Sequence, residues 1–380
     1  MAASDLTEFQ SRFPGLTERI YFASQCLGPV PAEAFEDLDE YRRSILLRKR
    51  AITPWVDRIE ELIGLFETLL GAPPGSVALR DSATGAQAAI AAALTPKPGK
   101  DRIVISRQDF HSTRYLWKGQ RARGFDITEL EILPGRTEIT SDQYVAAIDD
   151  RTLVVEAALV SPRNGSLLDV RPIVQAAHAH GAIVVLDVYQ AVGIVPIAVR
   201  SLGADVVVGG VHKWLGGAGT GLAFLYVRPE LADRLTPAYP GWLGRAAWLS
   251  FGEEYEAAPG ARRFQQGTIA IEPVYTARAG IRLVLEMGIE RIRKQSLALT
   301  SRLIERLRAE GVPVTEPSEP RGPMVCLPIP DAEDVETALS KQGIDVDSRP
   351  GAGLRLGPHP CYAEEACDRV ARAIATARHP

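Results

Sequence analysis

Two charged residues stand at the ends of apolar, strand-like runs in the stretch from Ile183 to Val227, and they restrict the possible folds more than any other feature of the chain. The first run, IVVLD, ends in Asp187; the second, ADVVVGGVHK, ends in His212 and Lys213 ahead of the glycine loop WLGGAGTG. An isolated buried charge is very costly, so an aspartate and a lysine in such runs must be paired or used. Their spacing of 26 residues is about one strand, crossover helix and strand. Parallel strands joined in this way end side by side. Both side chains then face the crevice beyond the carboxyl ends, where open α/β sheets bind ligands.

An amine and a carboxylate converging on one crevice match the needs of pyridoxal phosphate. The amine forms a Schiff base with the cofactor, and the carboxylate keeps the pyridine nitrogen protonated so that the ring can act as an electron sink. The VALRDSATGAQ stretch adds a second sign. It reads as strand, turn and alanine-rich helix, with Asp81, Ser82, Thr84 and Gly85 at the helix entrance, where free backbone N–H groups and the helix dipole attract a phosphate.

Strand and helix signals alternate through residue 227 and predict an α/β fold with a mainly parallel, doubly wound sheet. Beyond it come a long helix from Ile271 to about Leu307 with a break near Gly288, a strand over Met324 to Pro328, a helix over Ala332 to Gln342, a strand holding Arg355, and a final helix. Together these read as a smaller domain. Ahead of the large domain, FPGLTERIYFASQCLGPVP reads as an arm with a short strand at Arg19 to Phe22. The division expected is therefore 1–50 for an arm and helix associated with the small domain, 51–255 for the large cofactor-binding domain, and 256–380 for the small C-terminal domain.

A net charge of -4 gives no reason to expect nucleic acid as a partner, and no apolar run approaches the roughly 18 residues that would span a bilayer. The start of the chain has no basic segment followed by an apolar one. The four scattered cysteines, Cys26, Cys326, Cys361 and Cys367, form neither a CxxC pair nor a disulfide framework, so the reading is cytoplasmic. His178 and His180 lie two apart on a helix and face different directions, which argues against a shared metal.

Strand ends supply further candidates. Phe110 and His111 follow DRIVISRQD, where an aromatic side chain can stack on a flat ring. Asn164 follows the strand over Thr152 to Val160 and could donate to the ring oxygen. The loop PAYPGWLGRAAWLSFGEEYE carries Trp242, Trp248, Phe251 and Tyr255, more apolar area than free surface usually shows, so it reads as a pocket wall or a subunit contact.

With IYFASQCLGPVP, LDVYQAVGIVPI, GADVVVGGVHKWLGGAGTGLAFLYV, PGWLG, RRFQQGTIAI and LRLGPHPCY laid out, the chain resembles the class V branch of fold-type I pyridoxal phosphate enzymes. Within that branch it is most similar to the kynureninases. The resemblance implies a mainly parallel seven-stranded sheet in the large domain and a smaller α+β C-terminal domain. It implies that Lys213 is the Schiff-base lysine and Asp187 the partner of the pyridinium nitrogen. Ser82, Ala83, Thr84 and His212 would hold the phosphate, with Gly267 and Thr268 arriving from the neighbouring subunit of a homodimer whose active site lies at the subunit interface. Phe110 would stack on the ring, Gln190 and Trp242 would lie near it, and Arg355, with Gln25 and His111, would bind the substrate, Arg355 taking its α-carboxylate. Kynureninases typically carry histidine at the position of Gln190 and tyrosine at that of His212. The Gln190 and His212 pair is instead a feature of the cysteine desulfurase and isopenicillin N epimerase branch. The segment GIDVDSRPGAG lacks the cysteine a desulfurase would need. The implied reaction is kynureninase-like cleavage between Cβ and Cγ of a kynurenine-like or modified substrate, with transamination or elimination as the alternatives.

Overall fold

The parallel strands foreseen from the alternating pattern assemble into one seven-stranded sheet in the computed structural model, which describes residues 3–247, 250–315 and 319–378. A short strand, β1 (Ile20–Tyr21), precedes it. The sheet is built from β2 (Val77–Arg80), β3 (Arg102–Ser106), β4 (Asp126–Leu130), β5 (Thr152–Ala158), β6 (Ile183–Asp187), β7 (Val206–Gly210) and β8 (Ala223–Val227), in the order β2-β8-β7-β6-β5-β3-β4. Only β8 runs against the rest, pairing antiparallel with both β2 and β7. The central strands are buried along their full lengths, which explains why β6, β7 and β8 read as unbroken apolar runs rather than as an alternating pattern.

Each face of the sheet carries its own core. Val184 and Leu186 point to a face covered by the helix Ile52–Leu70, and Val185 points to the opposite face, against Ile90 and Trp117. The helix Ile52–Leu70 forms because Ile59, Leu62, Ile63, Phe66 and Leu70 recur at helical spacing, and it stops at Gly71, whose φ of 57° suits a left-handed cap. Fully burying a side chain such as Phe66 contributes about 1.5–3 kcal/mol, and truncating it to alanine costs about 3–5 kcal/mol.

A separate core joins both ends of the chain. Phe9, Phe13, Leu16, Ile20 and Phe22 pack with Leu299, Leu303, Leu327, Leu354, Leu356 and Ile374. Here β9 (Val325–Leu327), β10 (Ile344–Asp345), β11 (Asp347–Arg349) and β12 (Gly353–Leu356) form two small sheets, a three-stranded one in the order β11-β12-β9 and a parallel pair of β10 with β1. The helix Ile271–Met287 lies between the two bodies: Val274, Ala277 and Ile281 pack with the large sheet, and Leu283 packs with the second core. Ala261 and Phe264, just ahead of this helix, pack with the core on one face of the large sheet. One buried cation locks this joint. Arg278 is 1% exposed and pairs with Asp37, Glu40 and Glu61, each at 2.7 Å, on two neighbouring helices.

Candidate active site

A cavity of about 810 Å³ opens where the parallel strands end. The ends of β2, β3, β5, β6 and β7 each send a short segment into it, bringing together Asp81 to Thr84, Arg107 to His111, Val160 to Arg163, Asp187 to Gln190, and His212 with Lys213. The arm adds Gln25 and Cys26, and the turn after β11 adds Arg349 to Ala352, with Arg355 beyond it. Every strand end here is a carboxyl end, as expected of a crevice in an open parallel sheet.

Lys213 and Asp187 meet in this cavity. Burial pushes the Lys213 amine down to about 8, with the nearby Asp187 carboxylate pulling the other way. The Lys213 nitrogen lies 4.8 Å from the centre of the Tyr189 ring and 5.8 Å from that of Phe110, within cation–π range. Burial raises the Asp187 carboxyl above its ordinary value, opposed by a hydrogen bond from the Tyr189 N–H (2.8 Å), by Lys213 and by Thr113. A relay stands behind that last contact. The Trp117 indole N–H donates to Gln87 Oε1 (2.6 Å), and Gln87 Nε2 donates to Thr113 Oγ1 (3.2 Å). That leaves the Thr113 hydroxyl free to donate to Asp187, favouring its charged form.

The phosphate end is built on the helix Ala83–Ala93. Ser82 caps it by accepting from Gly85 N (2.9 Å), and the Ala83 and Thr84 N–H groups have no partner within the helix. Burial, followed by the charge of Lys213, lowers the proton affinity of His212, while burial holds the proton on Tyr189. The Tyr189 hydroxyl can therefore donate to His212 Nδ1 (2.9 Å), which leaves Nε2–H as a donor for an anion. A buried amine, an acceptor for a ring nitrogen and a helix N-terminus with a neutral histidine fit pyridoxal phosphate, which Lys213, Asp187 and Ser82 to Thr84 would hold.

The opposite wall is rich in arginine. Arg355 donates through Nε (2.8 Å) and Nη2 to Asp347, and through Nη1 to the Pro162 carbonyl (2.7 Å). Three of the five guanidinium N–H groups are thus taken, and two remain for a ligand. Arg349 shares Asp347 with it at 2.8 Å.

The remaining sequence candidates fall into three groups. Phe110, 50% exposed, and His111 line the cavity beside Lys213. Gln190 and Gln25 also line it, yet Gln190 Nε2 donates to Gln25 O (3.0 Å), its Oε1 accepts from Trp214 (3.2 Å), and Gln25 Nε2 donates to Arg355 O (3.2 Å). These amides tie the arm to both walls. Asn164 does not reach the cavity: Nδ2 donates to Thr137 O (2.8 Å) and Oδ1 accepts from Ser166 N and Oγ, which closes the turn around Gly165. Trp242, Gly267 and Thr268 are exposed and lie outside the cavity walls of this chain, and Trp248 lies outside the described residues.

Sequence reasoning missed Thr113, Gln87, Tyr189, Arg349 and the cavity thiol of Cys26, because no spacing rule links them. It also missed a buried carboxyl pair beneath the site. Asp109 accepts from Ser106 N (2.6 Å) and Ala158 N (3.1 Å), and Glu156 on β5 lies against it with neither oxygen reached by another donor among the described residues. Burial raises both carboxyls; the charge and hydrogen bond of Asp109 raise Glu156 further, while the same hydrogen bond favours the charged form of Asp109, so Glu156 holds the proton between them.

The family described as aminotransferase class-V matches residues 48–374. An uncharacterized aminotransferase, YcbU of Bacillus subtilis, is 28% identical over 353 residues, covering 93% of this chain and 92% of its own. A kynureninase of Deinococcus radiodurans is 31% identical over 374 residues, covering 94% of this chain and 88% of its own. Among solved structures, a mutant of the cystine C-S lyase C-DES, with glycine covalently linked to its pyridoxal phosphate cofactor, superimposes with a TM-score of 0.87 at 18% identity over 96% of this chain and 98% of that one.

Proposed function

Given that the chain belongs to the class-V aminotransferase family and is a pyridoxal-phosphate-dependent enzyme, we propose that it hydrolyses the Cβ–Cγ bond of a kynurenine-like or modified α-amino acid bearing a carbonyl at Cγ. The observation that carries this reading is the convergence of Lys213, Asp187 and Arg355 in one cavity of a chain similar to kynureninases over nearly its whole length. When bound, the cofactor supplies an electron sink conjugated to the substrate Cα. Arg355 uses its two free N–H groups to hold the α-carboxylate and so orients the Cα–H bond. Lys213, with its amine near neutrality, takes the Cα proton and returns it. Asp187, which accepts from Tyr189 N–H and Thr113, would hold the proton of the ring nitrogen. Phe110 covers the ring face. The net reaction adds water: Cγ leaves as a carboxylic acid, Cβ takes the proton, and alanine is released.

Incubation with kynurenine and with Cγ-oxo analogues tests this. Alanine and the matching acid are expected, and inertness toward every Cγ-oxo substrate would remove the hydrolytic reading. Similarity to YcbU supports transamination as a second reading. Under that reading an amino acid would convert the bound cofactor to its amine form, and a 2-oxo acid would restore it.

A homodimer completes the proposed site. Trp242 (41% exposed), Gly267 and Thr268 lie outside this chain's own cavity and are available to a neighbouring one. Sedimentation should give twice the 41.2 kDa chain mass.

A further inference from the structure

The arginine wall carries more positive charge than one carboxylate ligand requires. Arg355, Arg349 and Arg163 line one side of the cavity, and Asp347 is the one carboxylate that the described ion pairs set against them. Its Oδ2 takes Arg355 and its Oδ1 takes Arg349, so both oxygens are engaged. Arg163 donates from Nη2 to the Gly351 carbonyl (2.7 Å), and among the described residues no carboxylate pairs with it. Arg349 makes one further contact, to Cys26 Sγ at 3.3 Å. Three guanidiniums thus face one carboxylate. The other acids that line the cavity stand on the far wall: Asp187 beside Lys213, Asp109 in its pair with Glu156, and Asp81 at the entrance of the helix Ala83–Ala93.

Arg163 and Arg349 also meet at one place. Arg349 begins the turn Arg349 to Ala352, and Arg163 reaches across to Gly351 within that turn. Both are exposed, unlike Arg355, so both offer forks toward the cavity mouth rather than its floor. A planar fork suits a carboxylate, which it can grip through two parallel hydrogen bonds.

We propose that Arg163 and Arg349 form an anion subsite, so that the substrates are α-amino acids whose side chain carries a second acid group of the carboxylate type. This rests on the reading that Arg355 takes the α-carboxylate, and it adds a second anchor at the mouth. It would make an acidic, modified substrate a better match than kynurenine itself, whose side chain bears no anion.

The test uses holoenzyme and ligands that lack an amine and so cannot react: glutarate, with two carboxylates, and glutaramate, its monoamide of nearly equal size. Calorimetric titration should find glutarate bound roughly ten-fold more tightly or better, the range of a charge-assisted contact. The Arg163→Gln/Arg349→Gln double variant should bind glutarate no more tightly than wild type binds glutaramate, and Arg163→Gln alone should lose part of the preference. Retention of the bound-cofactor absorbance band reports that each variant is folded. Equal affinity for the two ligands in wild type, or a preference that survives both substitutions, overturns the proposal. Because no turnover is involved, failure to release alanine from any Cγ-oxo substrate would count against the hydrolytic reading while leaving this result intact.

Discussion

The two walls of the cavity are built on different plans. On the sheet side, each of these side chains follows the end of one parallel strand and meets a partner two or three residues away or on the adjacent strand: Asp187 with Tyr189 N–H, His212 with Tyr189, Ser82 with Gly85. On the other side, Arg163, Arg349 and Arg355 come from a loop, a turn and a short strand; one aspartate, Asp347, pairs with Arg349 and Arg355, and Arg163 meets only the Gly351 carbonyl among the described residues. The sheet side is a fixed frame with its charges matched. The arginine side is left with unmatched charge. Chemistry common to a family belongs to the first kind of surface, and the choice of substrate to the second, where turns change without disturbing a core.

Replacing Lys213 would break this contrast most severely. Lys213→Ala should abolish the absorbance band of the covalently held cofactor and reduce turnover of any substrate by roughly 10³-fold or more, measured by spectrum and assay together. Removing the relay behind Asp187 sharpens the same side. Thr113→Val leaves Gln87 Nε2 without its acceptor and Asp187 with only the Tyr189 N–H of its two donors, and should weaken cofactor binding roughly ten-fold or more, read by titrating apoprotein with pyridoxal phosphate. On the opposite wall, Arg355→Lys keeps the charge but loses the fork shared between Asp347 and Pro162. It should raise KM about ten-fold with a smaller change in kcat, and an equal fall in kcat would mean that Arg355 belongs to the frame after all.

The smallest effect concerns the pair under the frame. Glu156 keeps its proton in the fold after an unfolded chain, with an ordinary carboxyl near pH 4, has released it. The stability that this gives is complete below that value and is lost as pH rises toward the raised folded value. Glu156→Gln has no proton to lose and can still donate to Asp109. The variant should therefore be more stable than wild type at pH 8, by about 1 kcal/mol, with a flatter dependence between pH 5 and pH 8, as followed by thermal unfolding.

The same contrast explains what could be read in advance. Asp187 and Lys213 were legible because each interrupts a buried apolar run, and their spacing matches one crossover; the helix entrance at Ser82 was legible because capping and anion binding use the same residues. Asn164 stood at the right level along β5, yet its side chain turned back to close a turn, a choice between two local hydrogen-bonding options that strand periodicity does not decide. Arg349 and Arg163 were hidden because 186 residues separate them and only the folding of the second core against the sheet brings them together. Thr113 was hidden because its bond to Asp187 depends on Gln87 and Trp117, which only the packing of two helices brings to it.

Gly28 gives the arm a place in the timing of synthesis. Its N–H donates to His212 O (2.8 Å), and a Cβ there would sit 1.8 Å from Lys213 O, so the arm closes directly on the lysine's backbone. Gly28 leaves the ribosome 185 residues before Lys213, roughly 10–40 s at ordinary elongation rates. Through that interval Phe13, Ile20 and Phe22 have no finished core to enter. The arm is thus made first and seated last, and a nascent chain halted before residue 213 would present it to chaperones and proteases, while the completed chain hides it.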